Sequence, residues 1–166
     1  MLSHAQADRV RAKKIFGATE AEVRKQLLQV NWGDKAVWVH RLMAPYLMRA
    51  FALTFLEPKA KEYVVKRIEC FCWRDVRGDP GLLSMHSFAI APDINPDENP
   101  MTYRGGPLVT DMPREFVSCF MQAGFQWGGF YSRPDAMHLE LREEFWGVPL
   151  LAYGIGEKPN AAGGPT

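Results

Sequence analysis

Loop-forming residues divide the second half of the chain into short segments. Gly, Pro, Asn and Asp, which favour turns, cluster at residues 77–81, 95–100 and 132–135. The segments around these loops are rich in β-branched and aromatic residues, a composition typical of strands. We therefore predict strands at residues 68–73, 88–94, 125–131 and 137–141. Pro92 should lie at an edge or a bulge, because it lacks the N–H that a strand ladder uses.

Three other segments have the apolar spacing of helices. The first helix is predicted from Thr19, because Thr19 and Glu22 have capping-box spacing and Val23, Leu27 and Val30 follow at helical period. The second is predicted from Pro45, which suits a first turn, and its apolar stripe should pack in the core. That stripe comprises Leu47, Met48, Phe51, Ala52, Phe55 and Leu56.

The third helix is predicted over residues 111–123, with Asp111 as N-cap and Gly124 as the stop signal. Its inward face should hold Phe116, Phe120 and Ala123. Because the first helices precede most of the strands, we expect an α+β fold in which about three helices flank a small antiparallel sheet.

Length and charge limit the function classes. The 166 residues suit one domain, which we predict over residues 19–153, after an N-terminal arm or short helix (1–18) and before a flexible Gly- and Pro-rich tail (154–166). The 20 Lys and Arg residues against 19 Asp and Glu argue against non-specific nucleic-acid binding. No stretch is apolar over 18 residues, so no membrane span is expected.

The three cysteines and the N-terminus favour synthesis in a reducing cytosol. Cys70, Cys72 and Cys119 are too few for a disulfide framework, and the N-terminal residues lack the apolar core of a secretory signal. Cys70 and Cys72 would share one strand face, where we interpret them as small buried apolar residues.

Two of the four histidines have neighbours that suit metal chemistry, whereas His4 and His40 are interpreted as structural or solvent-facing. His86, Asp93 and His138 could supply three zinc ligands and leave the fourth position to water. Asp135 lies three residues before His138 and could act as a general base. Spacing alone leaves open that all four are ordinary turn and strand residues.

Three motifs, in order, resemble a family of zinc peptidases. Residues 84–95, SMHSFAIAPDIN, are similar to the signature S-x-H-x-x-G-x-A-x-D of the D-Ala-D-Ala carboxypeptidase and L-alanyl-D-glutamate endopeptidase family. Residues 127–129, WGG, and 135–140, DAMHLE, resemble its W-G-G and D-x-M-H-F-E motifs, and residues 70–78, CFCWRDVRG, resemble its arginine-bearing strand and turn. The resemblance extends over about residues 37–146 and implies a hedgehog-like peptidase fold.

The resemblance implies a role for each matching residue. His86, Asp93 and His138 would bind Zn²⁺, and Asp135 would be the catalytic carboxylate. Arg74 would hold substrate and stabilise the oxyanion, and Arg77 is the competing candidate for that role.

Further roles are left as alternatives. Ser84 could hydrogen-bond the metal-binding loop and contact substrate. Trp127 is either a core residue or a wall of the substrate pocket. Glu140 either contacts a metal ligand or forms a surface ion pair.

Two positions depart from the family pattern. Ala89 replaces a glycine, which we expect to be tolerated only if its φ is negative. Pro92 replaces an apolar strand residue and removes one ladder donor.

The resemblance implies a zinc peptidase that hydrolyses the stem peptide of peptidoglycan. The bond expected to be cut is L-Ala–D-Glu, as in phage endolysins, and we expect the protein to be a monomer. One alternative is a D-Ala-D-Ala carboxypeptidase, and another is a non-catalytic, zinc-stabilised binding module of the same fold. We expect synthesis in the cytoplasm without a signal peptide, and action at the cell wall or periplasm after release or export.

Overall fold

The computed structural model describes residues 3–150 and has an α+β architecture. Its helices are α1 (His4–Phe16), α2 (Glu20–Arg24), α3 (Ala44–Leu56), α4 (Pro58–Lys61) and α5 (Arg114–Ala123). Its strands are β1 (Leu27–Trp32), β2 (Lys35–His40), β3 (Ile68–Glu69), β4 (Asp75–Val76), β5 (Asp79–Leu83), β6 (Asp93–Ile94), β7 (Phe125–Trp127) and β8 (Leu139–Leu141). Within this range no helix is long and apolar enough to cross a bilayer.

All strand pairs are antiparallel, and one central group of strands organises the second half of the chain. The pairs are β1–β2, β3–β6, β4–β5 and β7–β8. Residues 90–94 join two of these pairs, because Ile94 N–H donates to Met137 O, Leu139 N–H to Pro92 O and Leu141 N–H to Ile90 O, each at 3.0 Å. The segment from 90 to 94 therefore lies between β3 and β8, although only Asp93–Ile94 has regular strand geometry.

The first half of the chain differs most from the sequence prediction. The predicted helix from Thr19 has its capping box, but it ends at Arg24, and a hairpin of β1 and β2 follows. The two-residue turn between the strands uses Gly33, whose φ is +58°. Val30 and Val37 face each other across the hairpin and are buried. Burial alternates from Ala36 to Val39 in β2, where the β-branched residues Val37 and Val39 fill the buried positions, as is typical of a strand.

The predicted second helix is confirmed as α3, but its apolar stripe is only partly buried. Leu47 and Phe51 are in the core, together with Ala44, Ala50 and Thr54. Met48, Phe55 and Leu56 are exposed by 59%, 65% and 80%, and Ala52 is also exposed. A helix buries one face against its neighbours, and these four side chains lie to the side of that face.

The predicted third helix is confirmed as α5, with Phe116, Phe120 and Ala123 buried and Gly124 in a left-handed conformation at its end. Asp111 does not cap it, so this part of the prediction was wrong. The Asp111 carboxylate instead accepts hydrogen bonds from the Tyr63 hydroxyl (2.5 Å) and the Asn99 side chain (3.0 Å). These contacts tie the loop before α5 to the segment before β3.

The predicted final strands are confirmed as the pair β7–β8, with shorter bounds, because residues 128–130 form a 3-10 helix. The prediction that both Cys70 and Cys72 are buried was wrong. Cys70 is buried, whereas Cys72 is exposed, since regular strand structure ends at Glu69. The N-terminal residues form α1, whose Ala12 and Phe16 enter the core. The predicted tail lies outside the described residues.

Ala89 has a φ of +54° and a ψ of +40°, so the expectation of a negative φ was wrong. Two hydrogen bonds hold this conformation, because Ala89 N–H donates to His86 O (3.0 Å) and Ala89 O accepts from His40 N–H (2.9 Å). The left-handed residue ends the 3-10 helix Met85–Phe88 and turns the chain toward Asp93.

We predict that glycine is tolerated better at position 89 than at position 91. Ala89 and Ala91 are both fully buried, but only Ala89 has a positive φ. Ala89→Gly relieves a left-handed strain of about 1–2 kcal/mol, whereas Ala91→Gly loses a buried methyl group without that relief. Denaturant unfolding should therefore show Ala91→Gly to be the less stable variant by about 1–2 kcal/mol. Equal free energies of unfolding would contradict the strain at Ala89.

Because His40 is buried, we predict that the folded protein loses stability in acid. The side chain is 1% exposed, and burial lowers its pKa to about 4, against about 6.5 in an unfolded chain. Between these values the unfolded state binds a proton that the folded state does not, so stability falls as pH falls from about 6.5 to about 4, by up to about 3 kcal/mol. Denaturation curves at several pH values should show this loss in the native chain and in His4→Gln, an exposed control, but less of it in His40→Gln. Parallel pH profiles for all three would contradict the assignment.

Candidate metal centre

Three short elements of the central group bring together His86, Asp93 and His138. His86 lies in the 3-10 helix Met85–Phe88, which is capped by the Ser84 hydroxyl accepting from His86 N–H at 3.4 Å. Asp93 begins β6 and pairs with His138 in an isolated bridge, one residue before β8. The predicted contact of Ser84 with the loop is therefore present, and the three predicted ligands share one place in the fold.

The ligand atoms have the spacing that a metal ion requires. His86 Nε2 lies 3.3 Å from Asp93 Oδ2, and His138 Nδ1 lies 3.2 Å from both Asp93 Oδ1 and His86 Nε2. Two ligands of a tetrahedral ion with bonds of about 2.0–2.1 Å are about 3.3–3.4 Å apart. Among the described residues these three atoms therefore fit a metal ion with three protein ligands.

The outer nitrogen of each histidine has its own partner. His86 Nδ1 is 3.0 Å from Cys70 O, and a carbonyl can only accept, so Nδ1 carries the proton and Nε2 is free to bind. His138 Nε2 is 3.1 Å from Glu140 Oε2, which leaves Nδ1 for the ion. Of the two interpretations of Glu140, the structure supports contact with a metal ligand. Such partners orient the imidazole ring and raise its basicity as a ligand.

The charges at the centre suit a cation. Burial lowers the pKa of His86. On His138, hydrogen bonds donated to the Asp93 and Glu140 carboxylates overcome the lowering effect of burial and raise the pKa to about 10. Burial opposes ionisation of Asp93, but contact with His138 and His86 holds its pKa below the usual value. A bound ion would displace the proton from His138, because metal ligation requires the unprotonated nitrogen.

Asp135 lies beside this group without being part of it. Its Oδ1 is buried and has no hydrogen-bond partner among the described residues, and burial raises the pKa of the carboxyl. Gly128 permits this position, because a Cβ there would lie 2.5 Å from Asp135 O and 3.1 Å from His138 Cβ. Because Asp135 Oδ1 has no hydrogen-bond partner among the described residues, it is available to accept a proton.

Trp127 supports the centre from the core. Its side chain is 7% exposed, its Nε1–H donates to Ala136 O at 2.7 Å, and it does not line the cavities at the site. A Cβ on Gly129 would lie 2.5 Å from the Trp127 ring, so the ring occupies the space that the glycine leaves. Of the two interpretations of Trp127, the structure favours the core residue and not the pocket wall, so its assignment as a substrate-binding residue is corrected.

Two adjoining cavities meet at the metal ligands. One, of about 890 Å³, contains Asp135, His138 and Ser84, and the other, of about 820 Å³, extends toward Trp38 and the β1–β2 hairpin. Both are lined by His86, Asp93, Arg74 and Arg77. The centre is therefore open to an extended ligand on two sides.

The structure places both candidate arginines at the cleft. The Arg74 backbone is held by Ser87, whose hydroxyl contacts Arg74 N (3.0 Å) and Arg74 O (2.8 Å). Arg77 is exposed at the turn of the β4–β5 hairpin. Each partly opposes the rise in the pKa of Asp135, Arg77 more than Arg74, so both act on the same carboxylate.

We predict that Glu140 strengthens metal binding through His138. Glu140→Gln removes the charge beside His138 Nε2 and should weaken the affinity for a divalent metal about 10- to 100-fold, measured by competition with a chelator. Glu144→Gln is the matched control, because Glu144 is half-exposed and pairs with Arg142 away from the ligands. Unchanged affinity in Glu140→Gln would show that the contact does not tune the ligand.

Comparison with protein families supports a peptidase. Residues 77–141 match the family model described as D-alanyl-D-alanine carboxypeptidase, which supports the family predicted from the motifs. The matched segment contains His86, Asp93, Asp135 and His138, but it begins after Arg74. No curated protein and no solved structure gives a significant match to the chain.

Proposed function

We propose, from the match of residues 77–141 to the D-alanyl-D-alanine carboxypeptidase family, that the chain is a zinc peptidase acting on the peptidoglycan stem peptide. The bond we propose is L-Ala–D-Glu. The observation that carries the proposal is the convergence of His86, Asp93 and His138 at 3.2–3.3 Å beside the unpartnered Asp135 oxygen, in an open cleft.

The donor set favours zinc over other divalent ions. Two imidazoles and one carboxylate are typical of catalytic zinc sites, which keep a fourth position open, whereas Mg²⁺ and Ca²⁺ prefer oxygen ligands. When bound, zinc would activate a water molecule and polarise the scissile carbonyl.

Asp135 supplies the proton transfers in this proposal. Its free Oδ1 accepts the proton of the attacking water, and the same carboxyl then donates it to the nitrogen of the departing amine. Burial raises the pKa of the carboxyl, which strengthens its ionised form as a base. A purely structural metal site has no use for such a group, and this observation argues against the alternative of a non-catalytic binding module.

The arginines supply positive charge where the carbonyl oxygen becomes negative. Arg74 and Arg77 line both cavities at the ligands, and a guanidinium at this position stabilises an oxyanion. Arg74 is the better placed of the two for a fixed role, because Ser87 anchors its backbone, whereas Arg77 lies in an exposed turn.

A second candidate is removal of the terminal D-Ala, because the matching family model carries that description. Both reactions use the same ligands and the same carboxylate, so they differ only in how the stem peptide lies in the cleft. In either case we propose that the protein acts at the cell wall, where its substrate is found.

We predict that Asp135→Asn abolishes turnover but keeps the metal. The variant should lower kcat on purified stem peptides about 10²- to 10⁴-fold, because the amide cannot accept the proton. Its zinc content, measured by elemental analysis, should stay that of the native chain, since Asp135 is not a ligand. Asp34→Asn, at an exposed residue in the β1–β2 turn, is the control and should keep full activity.

Mass spectrometry of the products separates the candidate reactions. Both cuts release one alanine from a free pentapeptide, so the remaining tetrapeptide is sequenced by fragmentation. A product that begins with D-Glu indicates the L-Ala–D-Glu cut, whereas a product that keeps L-Ala and ends in a single D-Ala indicates the carboxypeptidase. Cleavage that survives complete chelation of the metal, or full activity in Asp135→Asn, would contradict the mechanism.

A further inference from the structure

Arginines are concentrated around the half of the cleft that contains Asp135. The arginines lining this cavity are Arg9, Arg67, Arg74, Arg77, Arg104 and Arg133. They represent half of the arginines in a chain whose net charge is only +1. The concentration is therefore local and does not follow from the overall composition.

Most of these arginines have no carboxylate partner in the part of the chain that the structure describes. Within the described residues, Arg67 alone of the six pairs with acidic side chains, those of Glu69 and Asp97. By contrast, Arg11, Arg24, Arg114 and Arg142, which do not line this cavity, each form an ion pair. Five guanidinium groups around the cavity are thus left to a charged ligand.

The acidic groups of the same cavity are engaged elsewhere or lie at its rim. Asp93 and Glu140 contact the site histidines, and Glu69 pairs with Arg67. Asp135 lies beside the ligands, and Asp79 is exposed at the start of β5. The buried negative charge lies at the candidate metal centre, where a bound cation would offset it. The arginines without an acidic partner among the described residues surround that centre.

Hydrogen bonds to neutral partners hold four of the guanidinium groups in place, and in one of them Arg74 Nη1 donates to Asp75 O at 3.3 Å. Arg9 Nε–H donates to Leu83 O at 2.8 Å and Arg133 Nε–H to Thr102 O at 2.8 Å. Arg104 Nη1 donates to the Ser132 hydroxyl at 3.3 Å. Each guanidinium has five N–H groups in a rigid fork, so most of its donors remain available.

Two loops present Arg104 and Arg133 beside the catalytic carboxylate. Thr102 N–H donates to Pro134 O and Gly105 N–H to Ser132 O, each at 2.8 Å, and Met101 pairs with Asp135. Arg133 thereby lies two residues before Asp135 on a backbone that is tied to a second segment. Donors fixed in this way lose little entropy when they bind a carboxylate.

We propose that this half of the cleft selects stem peptides carrying several free carboxylates on the departing side of the scissile bond. The inference rests on the proposed function. In a cut at L-Ala–D-Glu, the α-carboxylate of D-Glu, the C-terminal carboxylate and, in diaminopimelate-type peptides, the side-chain carboxylate of residue three all lie on that side. A lysine at residue three removes the side-chain carboxylate, and amidation neutralises the carboxylates of D-Glu and diaminopimelate, so each change lowers the negative charge that the arginines recognise.

The first test compares three synthetic peptides of sequence L-Ala-γ-D-Glu-X-D-Ala. In one, X is meso-diaminopimelate with free carboxylates, in the second the D-Glu and diaminopimelate carboxylates are amidated, and in the third X is L-Lys. We expect kcat/KM for the first peptide to exceed that for the other two by about tenfold or more, mainly through KM, because charge-assisted hydrogen bonds are lost. Equal kcat/KM for all three would overturn the inference and leave the peptidase proposal intact.

The second test assigns the selectivity to the arginines. Arg104→Gln and Arg133→Gln should each reduce the ratio of kcat/KM between the free and the amidated peptide severalfold, mainly by raising KM for the free peptide. Arg41→Gln, which makes the same charge change at an exposed residue lining neither cavity, should keep the native ratio. Native ratios in both cleft variants would overturn the role of these arginines.

A binding measurement makes the outcome independent of turnover. Calorimetry with the full chain as zinc-loaded Asp135→Asn should show about tenfold tighter binding of the free diaminopimelate peptide than of the amidated one. Equal affinities would overturn the inference. If the free peptide binds more tightly but the native chain hydrolyses none of the three, the selectivity stands and the peptidase proposal fails.

Discussion

The pairing of residues 90–94 with residues 137–141 is the contact on which the candidate metal centre depends. Three backbone hydrogen bonds of 3.0 Å fix the register in which Asp93 lies opposite His138. A shift of one residue would turn Asp93 to the other face of the pair and separate it from both histidines. The left-handed Ala89 belongs to the same constraint, because it carries the chain from His86 into this paired segment within four residues. A strained residue persists there because hydrogen bonds hold both its N–H and its carbonyl group.

The chemistry of the cleft follows from a few buried histidine and carboxylate groups surrounded by arginines, most of which have no carboxylate partner among the described residues. His86 and His138 are held by Cys70 O and Glu140, so each presents one defined nitrogen to the centre. Within residues 3–150 the Asp135 Oδ1 atom has no such partner, and this difference separates it from Asp93, whose carboxylate contacts both histidines. The arginines around them give the ligand site an attraction for anions without making the protein basic overall.

Local signals predicted the elements whose ends carry strong capping or turn residues. Helices α3 and α5 and the pair β7–β8 were predictable, because Pro45, Gly124 and the loop at 132–135 mark their limits. The β1–β2 hairpin was not, since Val23, Leu27 and Val30 fit a helical period as well as they fit the elements that form. The exposure of Phe55 and Leu56 could not be predicted either, because a helix of apolar residues does not reveal which side its neighbours cover.

The sequence by itself determined the residue types at the centre. The motif around His86 and Asp93 and the one around Asp135 and His138 are each contained in about ten residues, and their resemblance to a peptidase family indicated ligands and base before any geometry was known. Only the tertiary structure decided which nitrogen of each histidine faces the candidate metal centre, that Trp127 lies in the core, and that Arg9, Arg104 and Arg133 line one cavity. The physical reason is distance along the chain. Residues as far apart as Arg9 and Glu140 meet in this cleft through backbone pairing and side-chain packing, and a spacing pattern within one segment contains no record of those contacts.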